Sequence, residues 1–128
     1  MTKTPSAAAS IFLVEDEVMI RMMIAEMLEE LGHSIGAEAG GLDEAIRVAQ
    51  ATQFDLVILD VNFKGQMIIP VAKLITDTLK RPIIFATGYG EATIPEGLHG
   101  YPSLQKPFTI ERLGQIVDAT MKRRRSEK

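Results

Sequence analysis

The sequence LVILD, residues 56–60, places the strongest constraint on the fold of this chain. Four consecutive apolar residues are typical of a strand that is buried on both faces, as in a parallel sheet between two layers of helices. The run ends directly on Asp60, and burying a carboxylate is costly unless it reaches water, a cation or another partner. We therefore predict that Asp60 lies at the carboxyl end of a central strand, where a polar site can form.

The rest of the chain alternates short β-rich runs with helical patterns. Apolar residues of the first helix recur at helical spacing, and Pro70 is predicted in the first turn of the third helix. Asp43 and Thr109 are predicted to cap the second and the last helix. This alternation predicts an α/β fold with a doubly wound five-stranded parallel sheet, helices on both faces and flavodoxin-like topology. The predicted strands are residues 11–15, 33–39, 56–60, 82–87 and 103–106.

The domain organisation is expected to be simple. We predict a disordered tail over residues 1–9, one domain over residues 10–121 and a basic tail over residues 122–128. The Gly- and Pro-rich residues 88–102 are expected to hold at most a short or mobile helix.

Composition excludes several functional classes. The chain has no cysteine, so disulfides and a thiol nucleophile are excluded. No apolar run approaches the ~20 residues of a membrane span, and the first ten residues do not resemble a secretory signal. With a net charge of -3, no feature of the balance indicates nucleic acid or a membrane as a partner. A cytoplasmic location is expected.

Polar residues follow four of the predicted strands: Glu15 and Asp16, Asp60, Thr87, and Lys106. The carboxyl ends of parallel strands form the ligand-binding edge of such a sheet. Three carboxylates at one edge repel one another, and Mg²⁺, which prefers oxygen ligands, would relieve that repulsion. Asp60 could then act as a nucleophile towards a phosphoryl group, with Lys106 and Thr87 placed to contact its oxygens.

Four motifs in this order, LVEDE, LVILDVN, FATG and QKPF, resemble those of a bacterial two-component response-regulator receiver domain. The resemblance covers residues 11–121. It implies that Asp60 accepts a phosphoryl group from a phosphohistidine, that Thr87 and Lys106 contact the phosphoryl oxygens, and that the peptide bond before Pro107 is cis. It also implies a set of magnesium ligands: Asp16, Asp60, Glu15 directly or through water, and the backbone carbonyl of Asn62.

The segments FATGYG, IPEG and LQKPF are similar to a receiver subclass named for its Phe-Ala-Thr-Gly motif, which is common among standalone alphaproteobacterial regulators. Ser103 stands where the family often has a switching aromatic residue, and Tyr101 lies two residues earlier. The resemblance implies a non-enzymatic signalling protein, a monomer or weak homodimer, that catalyses only its own phosphoryl transfer and dephosphorylation. Its partner would be a sensor histidine kinase or a histidine phosphotransfer protein, and it would act as a relay intermediate, a phosphate sink or an allosteric partner.

Other interpretations remain open from the sequence. The chain could be a receiver domain excised from a hybrid kinase or a larger regulator. A small aspartyl-phosphate phosphatase is disfavoured because Asn62 occupies the position of its general acid. A flavodoxin-like binding module is disfavoured by the acidic loop after the first strand. His33 is expected at the surface, and Met19 and Met22 form a candidate docking surface, since the first helix of receivers is a usual contact for the phosphodonor.

Overall fold

The computed structural model describes residues 8–61, 68–88 and 100–126, with side chains up to residue 123. Its five strands form one parallel sheet in the order β2-β1-β3-β4-β5, which confirms the predicted flavodoxin-like fold class. The strands are β1 Ser10–Val14, β2 Ser34–Ala39, β3 Leu56–Asp60, β4 Ile83–Thr87 and β5 Ser103–Gln105.

The described helices lie between the strands, except for the last one, which follows β5. They are α1 Val18–Glu30, α2 Leu42–Ala51, α3 Ile69–Lys73 and α4 Ile110–Ser126, and a π-helical turn, Leu74–Thr78, continues α3. Pro70 lies in the first turn of α3, as predicted, where its missing N–H breaks no helical hydrogen bond. None of the helices in these ranges is long and apolar enough to span a bilayer. The helix considered for residues 88–102 falls mainly on residues outside the described ranges.

Two apolar clusters, one on each face of the sheet, stabilise the fold. Successive side chains of a strand point to opposite faces, so Val57 and Leu59 join one cluster while Leu56 and Ile58 join the other. The first cluster is covered by α2 and α3, and the second by α1 and α4. This double burial explains why the LVIL run contains no polar residue.

The order of the strands positions the polar residues. β1 lies between β2 and β3, so the chain reverses its direction of winding there, and the carboxyl ends of β1 and β3 flank the switch point. Val14 pairs with Leu59, which brings the residues that follow them, Glu15 and Asp60, to the same edge. A ligand site is therefore expected at this edge.

The helix ends agree with the predicted caps in one case only. The Thr109 hydroxyl accepts a hydrogen bond from the Arg112 N–H at 3.1 Å, which confirms the cap of α4. The prediction that Asp43 caps α2 is wrong, because the helix begins at Leu42 and Asp43 lies within its first turn. The N-cap residue is Gly41, and no side chain caps it; the Glu44 carboxylate accepts from the N–H of the preceding residue, Gly40, at 2.9 Å. α4 extends to Ser126, so the predicted boundary at residue 121 falls inside this helix.

His33 is buried, so its predicted surface location is wrong. Its Nδ1 accepts a hydrogen bond from the Ala9 N–H at 3.0 Å, and Ala9 is itself buried although it was predicted to belong to the tail. Burial lowers the pKa of His33, and the nearby Asp118 carboxylate offsets part of this effect. The histidine thus ties the start of β1 to the start of β2.

Candidate functional site

The predicted site residues lie at the carboxyl edge of the sheet. Glu15 follows β1, where its N–H donates to the Ala39 carbonyl at 3.1 Å, and Asp60 is the last residue of β3. Thr87 ends β4 and is buried, and its carbonyl accepts from the Lys106 N–H at 2.7 Å. The Lys106–Pro107 peptide bond is cis, as the resemblance implied. The predicted ligand Asn62 lies outside the described residues.

Three carboxylates converge at this edge. Glu15, Asp16 and Asp60 can each offer one oxygen such that all three oxygens lie within 4.8 Å of one another. Glu15 and Asp60 are each only 2% exposed, whereas Asp16 is exposed. Glu15 and Asp60 are therefore shielded from water, whereas Asp16 lies on the solvent side, from which a substrate or an ion could approach.

Lys106 links the two buried carboxylates. Its Nζ lies 3.1 Å from Glu15 Oε1 and 3.3 Å from Asp60 Oδ1, and 17% of its side chain is exposed. Burial alone would lower the pKa of Lys106, but the hydrogen bond to Glu15 and the charge of Asp60 outweigh burial and raise it. The side chain is therefore a stable ammonium placed directly beside Asp60.

The pKa of Glu15 is shifted by its burial and by the neighbouring charges. Burial, followed by the charge of Asp60, raises the pKa of Glu15 to about 7, against the opposing effect of its hydrogen bond with Lys106. Its second oxygen, Oε2, accepts from the Glu17 N–H at 3.2 Å. The pKa of Glu15 is thus raised mainly because its carboxylate is buried, and the charge of Asp60 adds to this effect.

The donor set suits a hard divalent cation. All three carboxylates offer oxygen atoms, which Mg²⁺ prefers, and Mg²⁺ commonly binds through few carboxylates while it keeps water in its other positions. When the three are ionised, Lys106 neutralises one negative charge and leaves two, which a divalent ion matches. The residues Glu15, Asp16 and Asp60 thus fit Mg²⁺, the ion that the family resemblance implied.

Arg21 is a residue of this region that sequence reasoning missed. From α1 its Nη1 donates to the Glu15 carbonyl at 2.7 Å, and its Nε contacts Glu38 Oε1 at 3.0 Å. The guanidinium thereby holds the backbone at Glu15 and ties it to the end of β2. One signal was available, because Arg21 is the only basic residue of an apolar and acidic helix.

The start of α1 carries an exposed apolar surface next to this site. It consists of Val18, Met19, Met22 and Met23, whose exposed fractions are 56%, 83%, 56% and 46%. The two methionines that the sequence assigned to a docking surface, Met19 and Met22, are therefore solvent-exposed. Because Val18 follows the Glu15–Glu17 loop by one residue, the surface begins immediately beside the carboxylates.

Comparison with known proteins shows which proteins this chain resembles. A family model described as "Response regulator receiver domain" matches residues 11–118. Transcriptional regulatory protein PdtaR of Mycobacterium tuberculosis is 35% identical over 118 residues, which cover 88% of this chain and 57% of that protein. The chain thus spans little more than half the length of this relative.

Two solved structures extend the comparison. SdrG from Sphingomonas melonis Fr1 is 32% identical with a TM-score of 0.78, and the match covers 91% of this chain and 98% of SdrG. The response regulator PhyR from Brucella abortus has a TM-score of 0.83 at 23% identity, over 96% of this chain and 51% of PhyR. At that identity the second likeness concerns the fold alone.

Proposed function

Because the chain belongs to the response regulator receiver domain family, we propose that it accepts a phosphoryl group on Asp60 in a magnesium-dependent reaction. The family is one of signalling proteins rather than of conventional enzymes. The observation that carries the proposal is the position of Asp60, a buried carboxylate at the end of a central strand, 3.3 Å from an ammonium and beside two further carboxylates.

Asp60 would act as the nucleophile. One carboxylate oxygen attacks the phosphorus of a phosphohistidine, a new O–P bond forms, the P–N bond breaks, and its electron pair goes to the imidazole nitrogen of the donor. Magnesium held by Glu15 and Asp16, and by the Asn62 carbonyl as the family resemblance implies, would supply positive charge next to the phosphoryl oxygens.

Two residues of the chain would stabilise the transferred group. The Lys106 ammonium, already within reach of Asp60, is placed to contact a phosphoryl oxygen as negative charge develops there. Thr87 precedes the exposed Gly88 at the end of β4, and its hydroxyl would donate to another phosphoryl oxygen. Both Lys106 and Thr87 already lie at the carboxyl edge of the sheet.

Phosphorylation would change the contacts of Lys106. The ammonium now shares Glu15 and Asp60, whereas a phosphoryl group on Asp60 offers it more negative charge than a carboxylate does. Since Lys106 directly follows β5, this change alters the edge strand and the loop beyond it. We propose that this shift of population carries the signal to a protein partner.

The partner that delivers the phosphoryl group would be a sensor histidine kinase or a histidine phosphotransfer protein. The exposed apolar surface at the start of α1 would contact it, because a donor must approach Asp60 past this surface. We propose further that the protein works as a standalone receiver in a relay, as a phosphate sink or as an allosteric partner. The similarity to SdrG over 98% of its length supports a standalone role.

The test is phosphorylation with acetyl phosphate, followed by intact mass. We expect the native chain to gain one phosphoryl group with Mg²⁺ and none with EDTA. Asp60→Asn should gain none, while the matched control Asp43→Asn, at an exposed position of α2, should be labelled like the native chain. Equal labelling of Asp60→Asn, or no labelling where another receiver is labelled, would contradict the proposal.

A second measurement separates an inactive receiver from an incorrect assignment. In a Mg²⁺ titration followed by NMR, a receiver should shift the amide signals of Asp16, Asp60 and Asn62 together. Turnover of phosphomonoesters, which a phosphatase would show, is not expected.

A further inference from the structure

A cavity of about 320 Å³ lies at the edge of the sheet opposite the candidate site. Pro82 and Ile83, at the start of β4, and Tyr101 and Pro102, just before β5, form its apolar wall. The phosphoryl-transfer chemistry proposed above takes place at the other ends of these strands, after Thr87 and Gln105. The proposed function therefore makes no use of this cavity.

Three cationic side chains line the cavity: Lys80, Arg81 and Arg123. Among the residues that the structure describes, none of these three cations lies within ion-pairing distance of a carboxylate. This concentration of positive charge occurs in a chain whose net charge is -3. Like charges gathered around one cleft repel one another, and an anion bound between them would relieve that repulsion.

Arg81 is held in place for such a contact. Its Nε donates to the Phe54 carbonyl at 2.8 Å, and its Nη1 lies within 3.4 Å of the Leu79 and Lys80 carbonyls. These bonds use Nε and Nη1, and no hydrogen bond from Nη2 is found within the described part of the chain. A planar donor that is already immobilised loses little side-chain entropy when it binds a carboxylate or a phosphate.

The backbone at Lys80 adds a second observation. Its φ of 58° lies in the left-handed region, where residues other than glycine are uncommon and asparagine is favoured among them. Lys80, at the rim of the cavity, thus adopts a backbone conformation that glycine or asparagine adopts more readily, and it adds a positive charge at this position.

The apolar wall indicates what kind of anion would bind. The Tyr101 ring is half-buried and packs edge-on against Phe85, with centroids 6.2 Å apart, so the cavity has a fixed aromatic side. Inorganic phosphate would leave this wall uncovered, and a neutral apolar body would leave the three cations without a counter-charge. The 320 Å³ volume is at the lower end of the roughly 300–1,000 Å³ of small-molecule sites.

We propose that this cavity binds a small organic anion with a flat apolar body, that is, an aromatic carboxylate or an aromatic phosphate. The flat body would lie against Tyr101 and Pro102, and the anionic group would contact Arg81, Arg123 and Lys80.

The test is an NMR titration of the full chain with 1-naphthoate, 1-naphthyl phosphate, neutral 1-naphthalenemethanol and inorganic phosphate. Both aromatic anions should shift the amide signals of Ile83, Tyr101 and Thr120, and should leave those of Asp16 and Asp60 in place. We expect each aromatic anion to bind at least tenfold more tightly than the neutral alcohol or inorganic phosphate. No shift at the cavity, or equal binding of anion and alcohol, would overturn the proposal.

Variants at the rim provide the controls. Arg123→Gln, at an exposed position of α4, should weaken binding of 1-naphthoate roughly tenfold, the loss expected for one charge-assisted contact. Arg47→Gln, an exposed arginine of α2 away from the cavity, should leave binding unchanged. Lys80→Asn keeps a residue that tolerates positive φ and removes the charge, so it should weaken binding without loss of stability. Equal effects of Arg123→Gln and Arg47→Gln would contradict the site.

Discussion

Replacing Lys106 by methionine tests how the charges of the candidate site are balanced. Methionine keeps the unbranched, apolar stem and removes the ammonium that lies 3.1 Å from Glu15 and 3.3 Å from Asp60. Without metal, the variant leaves two carboxylates facing each other, each only 2% exposed. We expect the variant to fold, but with a lower free energy of unfolding.

The magnitude follows from the burial of the three groups. Removing one member of a buried ion pair costs about 3–5 kcal/mol, because the remaining charge is left without a partner. The lower end applies here, since 17% of the Lys106 side chain is exposed and Glu15 can take up a proton. A loss of about 3 kcal/mol, at a urea dependence of about 1–3 kcal/mol per molar, lowers the midpoint by roughly 1–3 M.

Magnesium should reverse most of this loss. A ligand that binds only the folded state at 100 times its Kd stabilises that state by about 2.7 kcal/mol. Lys106 competes with a cation for Glu15 and Asp60 in the native chain, so Mg²⁺ should stabilise Lys106→Met more than it stabilises the native protein. Urea unfolding followed by far-UV circular dichroism at pH 8, with EDTA or with Mg²⁺, measures both effects.

Two further variants make the experiment decisive. Lys73→Met, at an exposed position of α3, removes a lysine that contacts neither carboxylate and should change stability little. The double variant Glu15→Gln/Lys106→Met removes one of the two opposed charges and should recover much of the stability in EDTA. If Lys106→Met unfolds in EDTA at the same urea concentration as Lys73→Met, the ion pairs of Lys106 with Glu15 and Asp60 do not stabilise the fold as described above.

Three shorter predictions concern residues around this site and at the opposite end of the fold. Arg21→Gln removes a charged hydrogen bond to the Glu15 carbonyl, so we expect a loss of about 1.5–3 kcal/mol in unfolding free energy and weaker Mg²⁺ binding; unchanged Mg²⁺ affinity would restrict Arg21 to a structural role. Because burial lowers the pKa of His33 from its ordinary 6.5, the unfolded chain binds the proton more readily. The contribution of neutral His33 to the unfolding free energy is therefore complete above about pH 6.5 and is lost as the pH falls from there towards the folded pKa. His33→Gln should remove this pH-dependent contribution from unfolding curves measured between pH 5 and 8. Identical pH profiles of the variant and the native chain would refute this prediction. Met19→Gln, at a residue 83% exposed, should slow phosphoryl transfer from a histidine phosphodonor while labelling by acetyl phosphate stays unchanged; equal slowing of both reactions would exclude a docking role.

Much of the fold could be predicted because local patterns specify it. The apolar run before Asp60 indicated a doubly buried strand, and the alternation of strands and helices indicated a parallel sheet. In such a sheet the carboxyl ends of the strands meet at one edge, so the order of polar residues along the chain was sufficient to bring Glu15, Asp16, Asp60 and Lys106 together. The precise start of α2 was not predictable in this way, since Asp43 and Glu44 both suit a helix N-terminus.

The tertiary structure decided which polar groups lose water and which neighbours they gain. His33 looked like a surface residue, yet Ala9, 24 positions away, supplies its hydrogen bond and the packing of α4 supplies Asp118. Lys106 meets Glu15 across 91 residues and Asp60 across 46. The cationic cavity likewise joins residues from three parts of the chain. Periodicity reports the environment of a residue within its own helix or strand, whereas burial and charge balance depend on contacts between distant segments, and these arise only when the sheet and its two helical layers assemble.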